Sequence, residues 1–248
     1  MQGQNQQQAY DRGITIFSPD GRLYQVEYAR EAVKRGTACI GIRAQDGIVL
    51  AVEKRIRSEL LVESSIEKLH KADDHIGIAS SGHVADARQL IDFARQNAQI
   101  NRLRFSEPIG VETLTKNVTD HIQQYTQVGG ARPFGAALII GGIDDGEPRL
   151  FETDPSGTPN EWKALAIGSN RSEIEDYLES EYSPDIGLDN AIELALEALA
   201  EVNDGTLTSQ GVDVATVDAE TEQYLSMADE EIQEYLTGLG ILGEEDEE

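Results

Sequence analysis

Few side chains in this sequence have the type and spacing that thiol or metal chemistry requires. Cys39 is the single cysteine, so the chain offers no internal disulfide and no cysteine-based metal cage. Its apolar neighbours predict a core residue rather than a reactive thiol. No G-x-x-x-x-G-K-[ST] phosphate loop is present. Four histidines share no metal-ligand spacing and are expected to be surface or packing residues: His70, His75, His83 and His121. We therefore expect neither a metal nor a cofactor.

The composition is dominated by acidic residues. Asp and Glu number 46 against 20 Lys and Arg, which gives a net charge of −26. Residues 1–105 carry 15 basic and 13 acidic side chains, whereas residues 106–248 carry 5 and 33. Such a chain repels nucleic acids and anionic membranes, and no apolar run approaches the ~18 residues of a membrane span. Repulsion among so many acidic side chains would strain a compact fold in dilute buffer, whereas molar salt screens it by shortening the Debye length to ~3 Å. The acidic excess therefore favours a protein adapted to a salt-rich cytoplasm. The alternative is that the acids form one interaction face.

The pattern of apolar residues predicts a single domain with an N-terminal appendage. Helical spacing is found over residues 22–34, 84–98 and 111–125, and later over 172–180, 188–202 and 229–237. Strand-like apolar runs occupy residues 37–42, 48–52, 75–80, 136–143, 149–153, 163–167 and 212–217. Strands that come in blocks, rather than in strict alternation with helices, favour an α+β fold in which helix pairs sandwich the sheets.

Residues 10–36, YDRGITIFSPDGRLYQVEYAREAVKRG, resemble the N-terminal signature of proteasome α-type subunits. Further matches are SIEKLHKADD (65–74), SSGHVADARQLIDFAR (80–95), QQYTQVGGARPFG (123–135) and RLFETDPSGTPNEWKALAIGS (149–169). The resemblance covers roughly residues 8–218 and is closest to the archaeal form. It implies the four-layer αββα sandwich of N-terminal-nucleophile hydrolases, preceded by a gate tail and a ring-face helix (1–36). The sandwich would span 37–238, and an acidic tail would follow (239–248).

The same resemblance implies a mechanical role and its partners. Neighbouring α-type subunits would complete a seven-membered outer ring that caps proteolytic β-type subunits. An activating ATPase would dock its C-terminal tails on that ring, and the ring would gate access to the proteolytic chamber. The sequence does not decide whether the ring contains one subunit type or also a paralogue.

Thr37 is the one candidate nucleophile. In β-type subunits a threonine hydroxyl attacks the peptide bond while its own free α-amine accepts the proton. By the resemblance, Glu53 and Lys68 fall where such a subunit keeps its supporting carboxylate and amine. Thr37 follows a helix that the signature needs intact, so its nitrogen is an amide and cannot act as the base. We expect a non-catalytic subunit, with a stand-alone threonine peptidase as the alternative.

The gate is expected at the N-terminus. In the family, the tail before Tyr10, Asp11 and Arg12 blocks the pore of the ring, and Tyr10, Asp11, Pro19 and Tyr28 resemble the cluster that braces the tails when the gate is open. Because proline fixes φ, Pro19 would set where the tail turns. The Gln-rich tail is polar but uncharged, so several copies can meet without repulsion.

Two further sites follow from the resemblance. Lys68 resembles the pocket lysine that receives the C-terminal carboxylate of the ATPase, and Glu27 and Gly82 resemble other members of that pocket. His83 stands where archaeal relatives often have an apolar residue. The segment QVGGARP resembles the pore constriction behind the gate, which assigns four residues to it: Val128, Gly129, Gly130 and Arg132.

Overall fold

The computed structural model describes residues 17–56, 58, 60–62, 65–128 and 130–243. Two five-stranded antiparallel sheets form its centre, in the orders β10-β9-β2-β1-β8 and β3-β4-β5-β6-β7. The strands are β1 (Cys39–Arg43), β2 (Gly47–Glu53), β3 (Leu69–Asp73), β4 (Ile76–Gly82), β5 (Ala136–Asp144), β6 (Glu147–Thr153), β7 (Pro159–Glu161), β8 (Ala164–Ile167), β9 (Val212–Asp218) and β10 (Gln223–Ser226).

Six helices of the described chain cover the sheets. They are α1 (Tyr24–Lys34), α2 (Val84–Phe105), α3 (Val111–Gln127), α4 (Arg171–Glu181), α5 (Leu188–Glu201) and α6 (Asp229–Leu239). None of the helices in these ranges combines the length and apolar character needed to cross a bilayer.

Three apolar clusters show the four layers. Ile40 and Val49 of the first sheet pack against α4, α5 and α6, and Ile78 and Leu138 of the second sheet pack against α2 and α3. A third cluster, which includes Leu50 and Ile139, fills the space between the sheets. The predicted αββα sandwich is therefore confirmed.

The short helix α1 lies at one end of this sandwich. It buries Val26, Ala29 and Val33, whose spacing of three and four residues places them on one helical face, against β4 and β5. The chain leaves α1 at Lys34 and enters β1 at Cys39. Residues 35–38, which include Thr37, therefore connect an outer helix to a strand of the central sheets.

Candidate functional site

The structure brings Thr37, Glu53 and Lys68 together at the junction of α1 and β1. The Lys68 ammonium donates to the carbonyl oxygens of Thr37 and Glu53, each at 3.1 Å, and to that of Ala38 at 3.4 Å. It also donates to the Thr37 hydroxyl, which in turn donates to the Glu53 carbonyl at 2.7 Å. We call this group the junction cluster. Its contacts tie the beginning of β1 to the end of β2 and to the residue that precedes β3.

Tight backbone packing fixes the position of Thr37. A Cβ on Gly36 would lie 2.3 Å from the Ser81 hydroxyl oxygen, so only glycine fits before Thr37. Gly82 has φ +108°, and a Cβ there would lie 2.3 Å from the carbonyl oxygen of Gly135. The Gly36 carbonyl accepts a hydrogen bond from the Ser169 amide at 2.8 Å. Thr37 thus lies inside a continuous, closely packed chain, and its nitrogen is a peptide amide.

The junction cluster stabilises the fold and lacks the groups that a threonine nucleophile needs. The Thr37 hydroxyl has no adjacent amine of its own that could accept a proton, and its hydrogen bonds bind it to Glu53 and Lys68. Cys39 lies beside the cluster with its thiol 3.2 Å from the Ser80 carbonyl oxygen. Burial raises the pKa of the Cys39 thiol, although the Lys68 ammonium acts in the opposite direction. The thiol is therefore an inert core group, as the sequence predicts.

A pocket of about 710 Å³ opens beside the junction cluster, and Lys68 and Gly82 both line it. Its wall also includes apolar side chains of α2, such as Val84 and Ile91. The described lining residues comprise five cations and two acids, a net charge of +3 in a chain of −26: Arg35, Arg55, Lys68, Arg88 and Arg95, with Glu67 and Asp92. This charge and these apolar walls suit an anionic ligand that also has an apolar part.

Glu27 lies outside that pocket, on the exposed side of α1. Its carboxylate accepts from Arg30 Nη1 at 2.6 Å, and the Arg30 Nε and Nη2 donate to the two carboxylate oxygens of Asp154 at 2.8 and 3.0 Å. Burial alone would raise the pKa of Asp154, but hydrogen bonds from Arg30 and Ser156 outweigh it, so the pKa is lowered. This chain of contacts holds Glu27 and fastens α1 to the loop after β6. Sequence reasoning missed Arg30 and Asp154.

The predicted constriction residues lie between α3 and β5. Val128 is exposed, Gly130 has φ +90°, and Gly129 lies outside the described residues. Arg132 Nη2 donates to Asp86 at 2.7 Å, and the Gly135 amide donates to the same carboxylate at 2.8 Å.

Asp86 fixes this segment against the first turn of α2. Burial alone would raise the pKa of the Asp86 carboxyl, but the hydrogen bonds from Arg132 and Gly135 lower it below its ordinary value. His83 Nδ1 lies 3.4 Å from the same carboxylate. A charged pair thus anchors the base of the segment that carries Val128.

The predicted gate residues fall in two groups. Tyr10, Asp11 and Arg12 lie outside the described residues. Pro19 is exposed in a turn in which the Gly21 amide donates to the Ser18 carbonyl at 2.8 Å, and Tyr28 is exposed on α1. The turn therefore leads into α1, the helix that carries both Tyr28 and Glu27.

The histidines have separate environments. His75 Nε2 lies 2.8 Å from the Ile109 carbonyl oxygen, and His121 stacks on Phe93 with ring centroids 4.1 Å apart. His70 lines the pocket, where burial, and then the positive charge of Arg95, lower the pKa of its imidazole. Within the ranges that the structure describes, no group of three or more His, Cys, Asp or Glu is placed to hold a metal ion.

Comparison with known proteins gives two family matches. The family model for proteasome subunits matches residues 33–217, and the model for the N-terminal signature of proteasome A-type subunits matches residues 10–32. Proteasome alpha subunit 1 of Haloarcula marismortui is 72% identical over 98% of this chain and 93% of its own length. The proteasome alpha subunit of Natronomonas pharaonis is 70% identical over 100% and 97%, respectively. Proteasome alpha subunit 2 of Haloarcula marismortui is 63% identical over 99% of this chain and its whole length.

Proposed function

This chain belongs to the proteasome subunit family, as an α-type subunit, and from that premise we propose that it gates the core particle and docks an activating ATPase. It is a non-catalytic subunit that assembles with other α-type subunits and with β-type subunits. The proposal adds that seven α-type subunits form each outer ring, that the N-terminal tails close its pore, and that the ATPase inserts its C-terminal tails between subunits.

The charge of Lys68 is the observation that supports docking most directly. All four acceptors of its ammonium are neutral oxygens, namely three carbonyls and one hydroxyl. These oxygens accept hydrogen bonds from the ammonium but carry no charge that could cancel its own. A terminal carboxylate supplies a full negative charge and two acceptor oxygens, so it forms a stronger, charge-assisted contact than a carbonyl does. Lys68 therefore presents to a solvent-accessible pocket an ammonium that forms no ion pair with the carboxylates of the described residues.

The surroundings of the pocket support a tail with an apolar portion. Val84, Ala87 and Ile91 of α2 present apolar surface to the same space. In a salt-rich cytoplasm the contact between two charges is screened, whereas the burial of apolar area is not weakened. Apolar contacts therefore contribute a larger share of the affinity than they would in a low-salt relative.

The remaining site residues fit a gate at the same end of the molecule. Pro19 lies in the turn before α1, and Tyr28 lies on α1 itself. The ion pair of Arg30 with Asp154 fastens that helix to the sandwich. We assign residues 1–9 to the pore-closing tail and Glu27 to the neighbouring face of the docking site. The gate residues are then Tyr10, Asp11, Arg12, Pro19 and Tyr28, and the constriction residues are Val128, Gly129, Gly130 and Arg132.

The test of docking is Lys68→Ala in assembled core particles, with Lys71→Ala as the matched control. Lys71 pairs with Asp74 and does not line the pocket. We expect Lys68→Ala to abolish ATPase-stimulated hydrolysis of long peptides, while assembly and basal cleavage of small peptides persist. Lys71→Ala should behave as the parent. Equal stimulation of the Lys68→Ala and parent particles would remove Lys68 from the docking site.

A further inference from the structure

The described lining of the pocket beside Lys68 carries more positive charge than one terminal carboxylate can neutralise. Lys68 is sufficient to pair with that carboxylate. Arg35, Arg55, Arg88 and Arg95 add four cations, against which the described lining supplies only Glu67 and Asp92. Like charges that are held together repel one another, and an anionic ligand relieves that repulsion. The excess therefore points to a ligand with more than one negative charge.

One wall of the pocket follows α2, and we call the space along this wall the groove. Its lining residues on this helix are spaced by three and four positions and so form one stripe: Val84, Ala87, Arg88, Ile91, Asp92 and Arg95. At ~1.5 Å per residue, the stripe is about 16 Å long from Val84 to Arg95. An extended peptide advances ~3.3 Å per residue, so about five residues span it.

Lys68 lies at the end of this groove nearest the beginning of α2. Its ammonium shares the Thr37 carbonyl oxygen with the Ser81 hydroxyl, which donates to that oxygen at 3.0 Å, and residue 81 is three positions before Val84. Arg95 lies further along the groove, where its Nε donates to the Lys71 carbonyl at 3.0 Å. A tail whose terminal carboxylate contacts Lys68 therefore passes Arg88 and then Arg95 on its way out.

Arg88 and Arg95 retain capacity for an anion. Both face the single carboxylate of Asp92, at 4.0 and 3.8 Å, which exceed the 2.7–2.9 Å of a charge-assisted hydrogen bond. The Arg88 side chain is 83% exposed. One acid shared between two arginines leaves a net positive charge on this stretch of the groove.

We propose that the pocket selects C-terminal tails that carry a second carboxylate, as an Asp or Glu two to five residues before the C-terminus, bound by Arg88 and Arg95. This inference rests on the proposed docking function and specifies the class of peptide that the site prefers. The terminal carboxylate of the tail would bind Lys68. The second carboxylate, on an Asp or Glu side chain earlier in the tail, would lie further along α2, beside Arg88 and Arg95.

The test measures binding of fluorescent eight-residue peptides to assembled core particles at the lowest salt concentration that keeps them intact by sedimentation. The peptides share an apolar segment and a free C-terminus, and they differ in carrying Glu or Gln at each of the third to sixth positions from the end. We expect at least one Glu peptide to bind about threefold more tightly than its Gln counterpart, in the range of an exposed ion pair. The preference should shrink as salt is added.

Variants of the particle assign the preference. Arg88→Gln with Arg95→Gln should abolish it, whereas Arg104→Gln, on the same helix but outside the pocket lining, should leave it intact. A C-terminally amidated peptide tests docking itself, because it removes the first charge only. Equal binding of all Glu and Gln pairs, or a preference that survives the double variant, would overturn the inference while docking stands. Peptides that bind regardless of amidation and of Lys68→Ala would overturn docking, and the inference with it.

Discussion

Thr37→Val tests whether the residue that resembles a catalytic nucleophile serves only to hold the junction cluster. Valine keeps the β-branched shape and removes the hydroxyl, which donates to the Glu53 carbonyl at 2.7 Å and accepts from the Lys68 ammonium. A neutral hydrogen bond contributes about 1 kcal/mol net to stability, and one to a charged group about 1.5–3 kcal/mol. Because Lys68 retains three carbonyl acceptors, the second loss falls at the lower end of its range.

We therefore expect Thr37→Val to lower the free energy of unfolding by about 2.5 kcal/mol. For a chain of this size that corresponds to a fall of about 5–10 °C in Tm. The measurement is thermal and denaturant unfolding of the purified chain at one fixed, high salt concentration. Thr37→Ser is the matched control, since it keeps the hydroxyl and removes only the methyl group.

Two results would refute this reasoning. If Thr37→Ser is destabilised as much as Thr37→Val, the hydroxyl is not what stabilises the junction. If Thr37→Val particles assemble normally but lose peptidase activity, or if a threonine-directed inhibitor labels this chain, the non-catalytic assignment fails. Retained cleavage together with reduced stability is the expected combination.

Three further predictions concern the gate, the charge and the base of the constriction. Deleting residues 2–12 should raise the hydrolysis of long unfolded peptides more than that of small ones, because the deletion removes the proposed pore-closing tail; equal rates at every length would contradict a gating tail. Dilute buffer should dissociate the ring, since subunits of −26 interact over a Debye length of ~30 Å at 0.01 M salt, and intact rings by sedimentation would contradict this. Asp86→Asn should cost about 1–3 kcal/mol of stability at neutral pH. Because the pKa of Asp86 is lowered in the folded chain, this stability is present above the unfolded value of about 4 and is lost as pH falls through the folded value, so parent and variant unfolding curves should converge in acid.

Periodicity was sufficient to predict the helices and the buried strands. The 3–4 spacing of Val26, Ala29 and Val33 marks α1, and continuous apolar runs mark strands such as β2 and β5, which are buried on both faces. Those signals exist because burial on one helical stripe, or on both faces of a strand, leaves a pattern in the chain itself.

Strands β3, β7 and β10 escaped prediction because their sequences are polar. Residues 69–73, LHKAD, bury only the last two positions, and residues 159–161 and 223–226 bury none. Each is an edge strand that is paired on one side only, with the strand next to it in the sequence: β4, β6 and β9, respectively. Side-chain pattern carries little information where the partner strand, rather than the core, holds the backbone.

The same limit applied to the site. The contact of Arg30 with Asp154 joins residues 124 positions apart, and no local spacing signals it. The resemblance placed Lys68 in a pocket, and Lys68 lines a pocket here, but the inward direction of its ammonium depends on carbonyls from two separate segments. Such a geometry appears only after the α1–β1 and β2–β3 connections have been brought together.

The junction cluster and the proposed docking site would compete for one ammonium group, that of Lys68. An ammonium has three protons, and here four oxygens of Thr37, Ala38 and Glu53 share them. A carboxylate that binds Lys68 must accept at least one of the hydrogen bonds that these oxygens now accept, which weakens the contacts of Lys68 with the beginning of β1 and the end of β2. Since α1 leads back through the turn at Pro19 to residues 1–12, binding of a tail would also loosen the connection to the proposed gate. Thr37→Val removes one acceptor in advance, so tails should bind the Thr37→Val particle at least as tightly as the parent even though the variant is less stable. A loss of tail affinity in Thr37→Val, with Lys68 in place and the ring intact, would mean that the junction cluster positions Lys68 for docking rather than competing with it.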